Sequence, residues 1–254
     1  MSSDSVAYAA VEITSDGVFS LDFQDWYFSV PHGLAESRYV YCSANGLDEL
    51  LAASAAAAAS ADAAPKVVRL AELGFGTGLN CACTLQLHKR YSGSLLHYIG
   101  IDMRFLHPND LSMIANQFAY DDTQLRQLWQ GLASSVPKDG GCAARPKRTT
   151  PYDGCQIDVY CGDVLTVLAG MAKTAIQEEK IDIWYLDGFS PGKNPAMWGS
   201  EVLQNITRLS KPGSRCSSFT AAGWVRRGLA ENGWQVERRP GFGRKRHMTV
   251  GVLG

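Results

Sequence analysis

The sequence predicts an α/β fold on a mostly parallel, doubly wound sheet. Three observations point to it. Short apolar runs alternate with helix-length stretches along residues 66–233, the pattern of repeated β-α units. Four of the runs end in a glycine loop or an acid: Gly74, Gly76 and Gly78 after the first, then Asp102, Asp163 and Asp187. The chain has 254 residues, 46% of them hydrophobic, enough for one sizeable domain with apolar layers on both faces of a sheet.

The elements follow in order. Residues 1–50 read as a β extension packed on the core, with the alternation of "GVFSLDF" marking a hairpin arm. The tract "LAASAAAAASADAAPK" favours helix by propensity but has almost no large side chain to bury, so a frayed helix or flexible loop is expected over 51–65. The main domain is expected over 66–254. "KVVRLAEL" is a buried strand closed by the glycine loop, and "LNCACTLQLHKRY" is a helix. "LLHYIGID" is the second strand. Pro108 and Asn109 open a helix region. Residues 138–154 are polar and read as an inserted loop. "QIDVYCGD", "IDIWYLDG" and "SRCSSFT" are the third, fourth and fifth strands, separated by helices over 164–179 and 195–210. "AGWVRRGLAENG" is a helix closed by Gly233. "WQVERRPG" and "HMTVGVL" form a terminal hairpin. Seven strands result, the last two antiparallel.

No stretch approaches the roughly 20 apolar residues of a membrane span, and the first residues lack the order of a secretory signal. Seven cysteines stand at positions 42, 81, 83, 142, 155, 161 and 216, without a CxxC pair or metal-ligand spacing. Reduced thiols, no metal and a cytoplasmic location are expected. The net charge of −1 is uneven: residues 1–204 carry 14 Lys+Arg against 23 Asp+Glu, and residues 205–254 carry 10 against 2. A basic surface on a nearly neutral protein suits a polyanion.

The glycine loop spells G-x-G-x-G, whereas a dinucleotide loop spaces its third glycine one residue later to pack under a pyrophosphate. Glu72 just before it would repel a phosphate but tolerate a cationic ligand. S-adenosylmethionine has a sulfonium, an amino-acid end, a ribose and an adenine, and no phosphate. Asp102 ends the next strand, where an acid accepts both ribose hydroxyls, and Asp163 can accept from the adenine amino group. This constellation predicts a Rossmann-like class I methyltransferase dependent on S-adenosylmethionine; a nicotinamide dehydrogenase is the alternative. Asp187 would stand beside the transferable methyl. A carboxylate there can orient an amine nucleophile and stabilise the ammonium formed. An anion also raises an amine's pKa and so disfavours the neutral nucleophile. Orientation is therefore a safer role for it than strong base.

The chain closely resembles the methyltransferase domain of the MnmC proteins, also found alone as MnmD. The resemblance is carried in order by "DFQDWYFS", "GLAESRYVY", "AELGFGTGLN", Gly162–Asp163, "DGFSPGKNPAMW", "TAAGWVRRGLAENGW" and "GFGRKRHM". It implies methyl transfer from S-adenosylmethionine to the 5-aminomethyl nitrogen of the wobble 2-thiouridine of tRNA, with Asp187 as catalytic aspartate. Cofactor contacts are expected at Glu72, Gly74, Phe75, Gly76, Thr77, Gly78, Asn80, Asp102, Met103, Gly162, Asp163 and Val164. Substrate contacts are expected at Tyr27, Phe189, Lys193, Asn194, Arg226, Arg227, Arg244, Lys245 and Arg246. The family's FAD-dependent oxidase partner is absent from this sequence, so no FAD is expected and the oxidase would be a separate chain. A small-molecule amine methyltransferase, or a silent RNA-binding module on the same fold, are the alternatives. The basic tail speaks against the first, and the intact Asp187 segment against the second.

Overall fold

The computed structural model describes residues 8–28, 30, 32–136, 146–173, 179–243 and 245–254. Its centre is an eight-stranded sheet. The strands are β4 (Val67–Leu73), β5 (Leu95–Asp102), β6 (Lys147–Tyr152), β7 (Cys155–Cys161), β8 (Ile181–Leu186), β9 (Ser210–Ser218), β10 (Trp234–Pro240) and β11 (His247–Leu253). Their order is β10-β11-β9-β8-β4-β5-β7-β6. The five strands from β9 to β7 run parallel, while β6, β10 and β11 pair antiparallel. One strand more is present than the sequence suggests. The supposed insertion supplies β6, in which Lys147–Thr149 pair with Ile157–Val159 of β7. Polar composition hid it, because an edge strand need bury only part of one face. Cys142 and the first part of that segment, residues 138–145, lie outside the described residues.

The parallel strands are buried on both faces, so they read as continuous apolar runs. Alternate residues feed two cores. Leu70, Tyr98 and Ile157 pack beneath α3 (Leu79–His88), α4 (Pro108–Phe118) and α5 (Thr123–Gly131). Ala71, Ile99 and Trp184 pack beneath α6 (Val164–Met171), α7 (Ser200–Leu209) and α8 (Gly223–Glu231). The helix region opened by Pro108 is thus two helices. The first is capped by His107 Nδ1, which accepts from the Asn109 amide at 3.1 Å, and the second by Asp122, which accepts from the Leu125 amide at 2.9 Å. Lys211–Pro212–Gly213 belong to β9, and of the helix expected over 195–210 the first part, Pro195–Trp198, is a 3-10 turn ahead of α7.

The alanine tract takes the helical one of its two expected forms over its first half. It is a regular helix, α2 (Leu47–Ala58), and only the residues after Ala58 leave the helix. Leu47, Leu51 and Ser54, spaced i, i+4, i+7, face inward. The Ser54 hydroxyl donates to the Lys66 carbonyl at 2.6 Å and accepts from the Leu95 amide at 2.9 Å. It therefore ties α2 to the starts of both central strands. The N-terminal extension is β only in part. β1 (Val11–Thr14), β2 (Gly17–Ser20) and β3 (Asp25–Trp26) form an antiparallel sheet. The short helix α1 (Gly33–Ser37) and a π-helical turn, Arg38–Ser43, then lead into α2.

From β4 the chain crosses to β5 and β7 on one side, and later to β8 and β9 on the other. The switch in direction lies between β4 and β8. The loops leaving these two strands diverge there and open a crevice at the carboxyl edge of the sheet, where ligands of such folds bind.

Candidate active site

The crevice is a cavity of about 390 Å³, within the size class of small-molecule sites. The glycine loop forms its floor. Gly74, Gly76 and Gly78 have φ of 81°, 52° and 75°, left-handed conformations that glycine adopts without strain. Space is as limiting as conformation. A Cβ on Gly74 would stand 2.9 Å from the Asp187 carbonyl oxygen and the Gly188 Cα, and one on Gly76 would stand 2.9 Å from the Tyr27 ring. The loop is therefore pressed between the β8 loop and the N-terminal extension. Phe75 turns down into the core against Gly100 and still borders the cavity, and Thr77 holds the Trp129 indole through its carbonyl at 2.7 Å.

Four of the expected acids take separate positions. Asp102 accepts from the Gly76 amide at 2.7 Å and from the Arg104 amide at 3.3 Å. Burial pushes its carboxyl up to about 6, against the pull of these amides. Asp163 caps α6: its Oδ1 accepts from the Thr166 amide at 3.0 Å and hydroxyl at 3.1 Å. Capping and cavity lining coexist, because its residue borders the cavity with Gly162 and Val164. Asp187 follows β8 and accepts from the Gly188 amide at 2.8 Å and from Asn80 Nδ2 at 2.7 Å. Burial raises its pKa.

Glu72 departs from expectation. It is fully buried and does not border the cavity. Its carboxyl accepts from the Tyr98 hydroxyl and from Asn80 Nδ2 at 2.7 Å. Burial, and then the Asp187 charge, hold its pKa well above the carboxylate range. Residue 72 lies inside β4, before the strand's last residue, Leu73, so its side chain belongs to the layer beneath the loop. Its contact is with Asn80, the residue that bridges both acids. The Asn80 carbonyl in turn accepts from Ser37 Oγ at 2.6 Å, which fixes which way the amide points.

The N-terminal segment closes the other wall. Phe189 stacks on Phe23 at 4.5 Å between centroids and meets Tyr27 edge-on at 5.0 Å. Asp25 accepts from the Ser190 amide and hydroxyl at 3.3 and 3.1 Å. Burial, and then the Asp102 charge, raise the Tyr27 pKa strongly. Tyr41, from the π-helical turn, is 3% exposed and borders the cavity, with its hydroxyl directed at the Asp187 carboxylate. Burial, and then the Asp187 charge, raise its pKa. Lys245 reaches in from the loop before β11. Its ammonium donates to Glu36 Oε1 at 2.6 Å and lies 4.6 Å from the centre of the Phe219 ring.

Of the expected contacts, Gly74, Phe75, Gly76, Thr77, Asn80, Asp102, Met103, Gly162, Asp163, Val164, Asp187, Tyr27, Phe189, Asn194 and Lys245 border this one cavity. Glu72, Gly78, Lys193, Arg226, Arg227 and Arg246 do not. Gly78 starts α3 instead, and Arg227 and Arg246 are exposed on the outer surface. Arg226 is half-buried, and its Nε has no partner among the described residues. Arg244 lies outside the described residues. Glu36, Ser37, Tyr41 and Phe219 also border the cavity, and nothing in the sequence marks them individually beyond their place in motif-like segments.

The lining fits a cofactor that is cationic and free of phosphate. Five acids border the cavity around a glycine cradle that leaves no room for a side chain, between apolar walls that include Leu79, Ile101 and Met103. Comparison with known proteins agrees. A family model described as S-adenosyl-L-methionine-dependent methyltransferase matches residues 123–254. The chain is 33% identical, over 96% of its length, to the "tRNA 5-methylaminomethyl-2-thiouridine biosynthesis bifunctional protein MnmC" of Pseudoalteromonas atlantica, and 35% identical over 91% to that of Chromobacterium violaceum. It spans about a third of the length of these relatives: 33% and 32%. The crystal structure of MNMC2 from Aquifex aeolicus shares the fold, with a TM-score of 0.72 at 22% identity, over 97% of this chain and 71% of that one. The chain thus belongs to the S-adenosyl-L-methionine-dependent methyltransferases, in the family of the MnmC methyltransferase domain.

Proposed function

We propose that this chain methylates the 5-aminomethyl nitrogen of the wobble 2-thiouridine of tRNA. The observation that carries the reading is the enclosed carboxylate of Asp187, clamped by the Gly188 amide and Asn80 at the edge of a cavity suited to S-adenosylmethionine. The names of the relatives, which specify a methylaminomethyl product, supply the substrate class.

Gly74, Gly76, Asp102, Met103 and Asp163 would hold the cofactor. Bound there, S-adenosylmethionine would supply an electrophilic methyl group to the amine lone pair, the electron pair of the carbon–sulfur bond remaining on the departing sulfur. Asp187 accepts an N–H of the amine, so the lone pair is aimed along one direction, and its charge stabilises the ammonium that develops. Asn80 holds that carboxylate in place. Phe189, with Phe23 and Tyr27 behind it, offers an aromatic face to a pyrimidine ring. The surplus proton passes to Asp187 or to water.

Transfer of labelled methyl from S-adenosylmethionine tests the reading. It is expected to tRNA bearing the 5-aminomethyl group and not to the same tRNA with an unmodified wobble uridine. Equal labelling of both, or labelling of neither, would overturn it.

A further inference from the structure

A nitrogen nucleophile beside Asp187 meets a difficulty. Primary aliphatic amines, like the lysine side chain at about 10.4, are mostly protonated at neutral pH, and a neighbouring anion holds the proton more tightly. The cavity aggravates this. Among its described lining residues stand Asp25 from β3, Glu36 from α1, Asp102 from β5, Asp163 at the start of α6 and Asp187 after β8. Buried Glu72 lies beneath, and Tyr41 is neutral. Lys245 is the sole cation among those residues. Its position is built: Glu36 holds its ammonium at 2.6 Å, and the Phe219 ring lies under it at 4.6 Å. Glu36 is itself nearly buried. The Lys245 charge already acts on Asp187, drawing its burial-raised pKa back down.

We propose that Lys245, held over Phe219 by Glu36, sets the proton equilibrium of the acceptor amine, its positive charge offsetting Asp187 so that the amine is bound in its neutral, nucleophilic form. This rests on the reading that the acceptor is an amine. A cation near the amine disfavours the ammonium, as a neighbouring cationic group does for activated lysines. Glu36 tunes the effect, since it neutralises part of the Lys245 field while fixing its place. The sign of each contribution follows from charge alone. Removing Lys245 leaves Glu36 uncompensated and raises the amine pKa; removing the Glu36 charge leaves Lys245 uncompensated and lowers it.

The test is the single-turnover methylation rate as a function of pH, with saturating enzyme, saturating S-adenosylmethionine and tRNA bearing the 5-aminomethyl group. The wild-type rate should rise with pH to a plateau as the bound amine loses its proton. Lys245→Gln should move the midpoint up by about one pH unit, the size expected of a unit charge roughly 12 Å away at an effective dielectric near 20. Its rate should then be about tenfold low below the midpoint and approach the wild-type plateau above it. Glu36→Gln should move the midpoint down, and Lys245→Arg should leave it nearly in place. Cofactor titration of each variant checks folding; if Lys245→Gln does not bind cofactor, the direction of the Glu36→Gln shift decides. Midpoints that stay put, or that move the same way in both neutralised variants, would overturn the proposal, as would a Lys245→Gln loss that is equal at every pH. Failure of the wild type to methylate this tRNA at any pH would instead overturn the amine reading, and the proposal with it.

Discussion

At the scale of single residues, the acids at the carboxyl edge of the sheet divide by depth: Asp102 and Asp187 border the cavity, and Glu72 is buried beneath it. Asp187 is legible because a buried strand runs directly into it. Asp102 is legible for the same reason. The nearness of Glu72 to the glycines in sequence suggests a cofactor contact, yet strand alternation and its position short of the exit place it a layer below. Tyr41, Ser37 and Glu36 carry no such sign, since they come from a short helix and a π-helical turn brought to the cavity only by the tertiary fold. Asp102 gives a pH prediction. Its pKa in the folded chain is raised to about 6, above that of the unfolded chain. The folded state therefore holds this proton longer, and its contribution to stability without ligand falls as pH rises from about 4 to about 6. A carboxylate accepting from ribose hydroxyls requires the charged form. S-adenosylmethionine affinity should thus weaken as pH drops through about 6, by up to about tenfold per unit. Calorimetric titration across this range should show the inflection in the wild type and not in Asp102→Asn. An inflection that persists in the variant would assign it to another group.

At the scale of elements, the parallel strands are plain in the sequence because burial on both faces leaves an unbroken apolar signature. The edge strand β6 and the helix α2 are not. β6 is half polar, and α2 buries one narrow stripe, anchored by a serine that makes two hydrogen bonds to the ends of β4 and β5. Alanine-rich composition signals the helix but conceals its docking, which uses so little apolar surface. The glycine loop is the element on which the site depends most. Gly74→Ala would combine a positive φ with a Cβ 2.9 Å from the backbone of the β8 loop. The strain costs on the order of 1–3 kcal/mol before any clash is relieved. The loop should shift away from Asp187, with cofactor affinity falling at least about tenfold, as about 1.4 kcal/mol of weaker binding implies. Fluorescence or calorimetric titration of a variant shown to be folded checks this; unchanged affinity would mean that the loop does not cradle the cofactor.

Across the whole molecule, the topology gathers what the sequence disperses. The crossovers from β4 run to opposite sides, so that Asp102 and Asp163 approach the crevice from one side and Asp187 from the other. The C-terminal hairpin brings Lys245 across the opening. The same hairpin carries Arg238, Arg239 and Arg246, all exposed, with Arg239 paired to Glu237. The basic tail therefore divides in place: one lysine borders the cavity, while Arg238 and Arg246 are exposed at the surface, where a polyanion would meet them. Replacing Arg238 and Arg246 by alanine should weaken tRNA binding without regard to anticodon sequence. It should also flatten the dependence of log K on log salt by roughly 0.7 to 0.9 for each phosphate that is no longer neutralised. An unchanged slope would place the tRNA on another face.

The central claim is that Asp187 aims and stabilises the nucleophile, separately from the residues that hold the cofactor. Its most direct test is the single-turnover rate of methyl transfer to 5-aminomethyl tRNA by Asp187→Asn, measured beside its affinity for S-adenosylmethionine. Asparagine keeps the shape and one acceptor but cannot balance a developing ammonium. The rate should fall by about a hundredfold or more, while cofactor affinity stays within a few-fold of wild type. A rate within a few-fold of wild type, or a loss explained entirely by weaker cofactor binding, would contradict the claim.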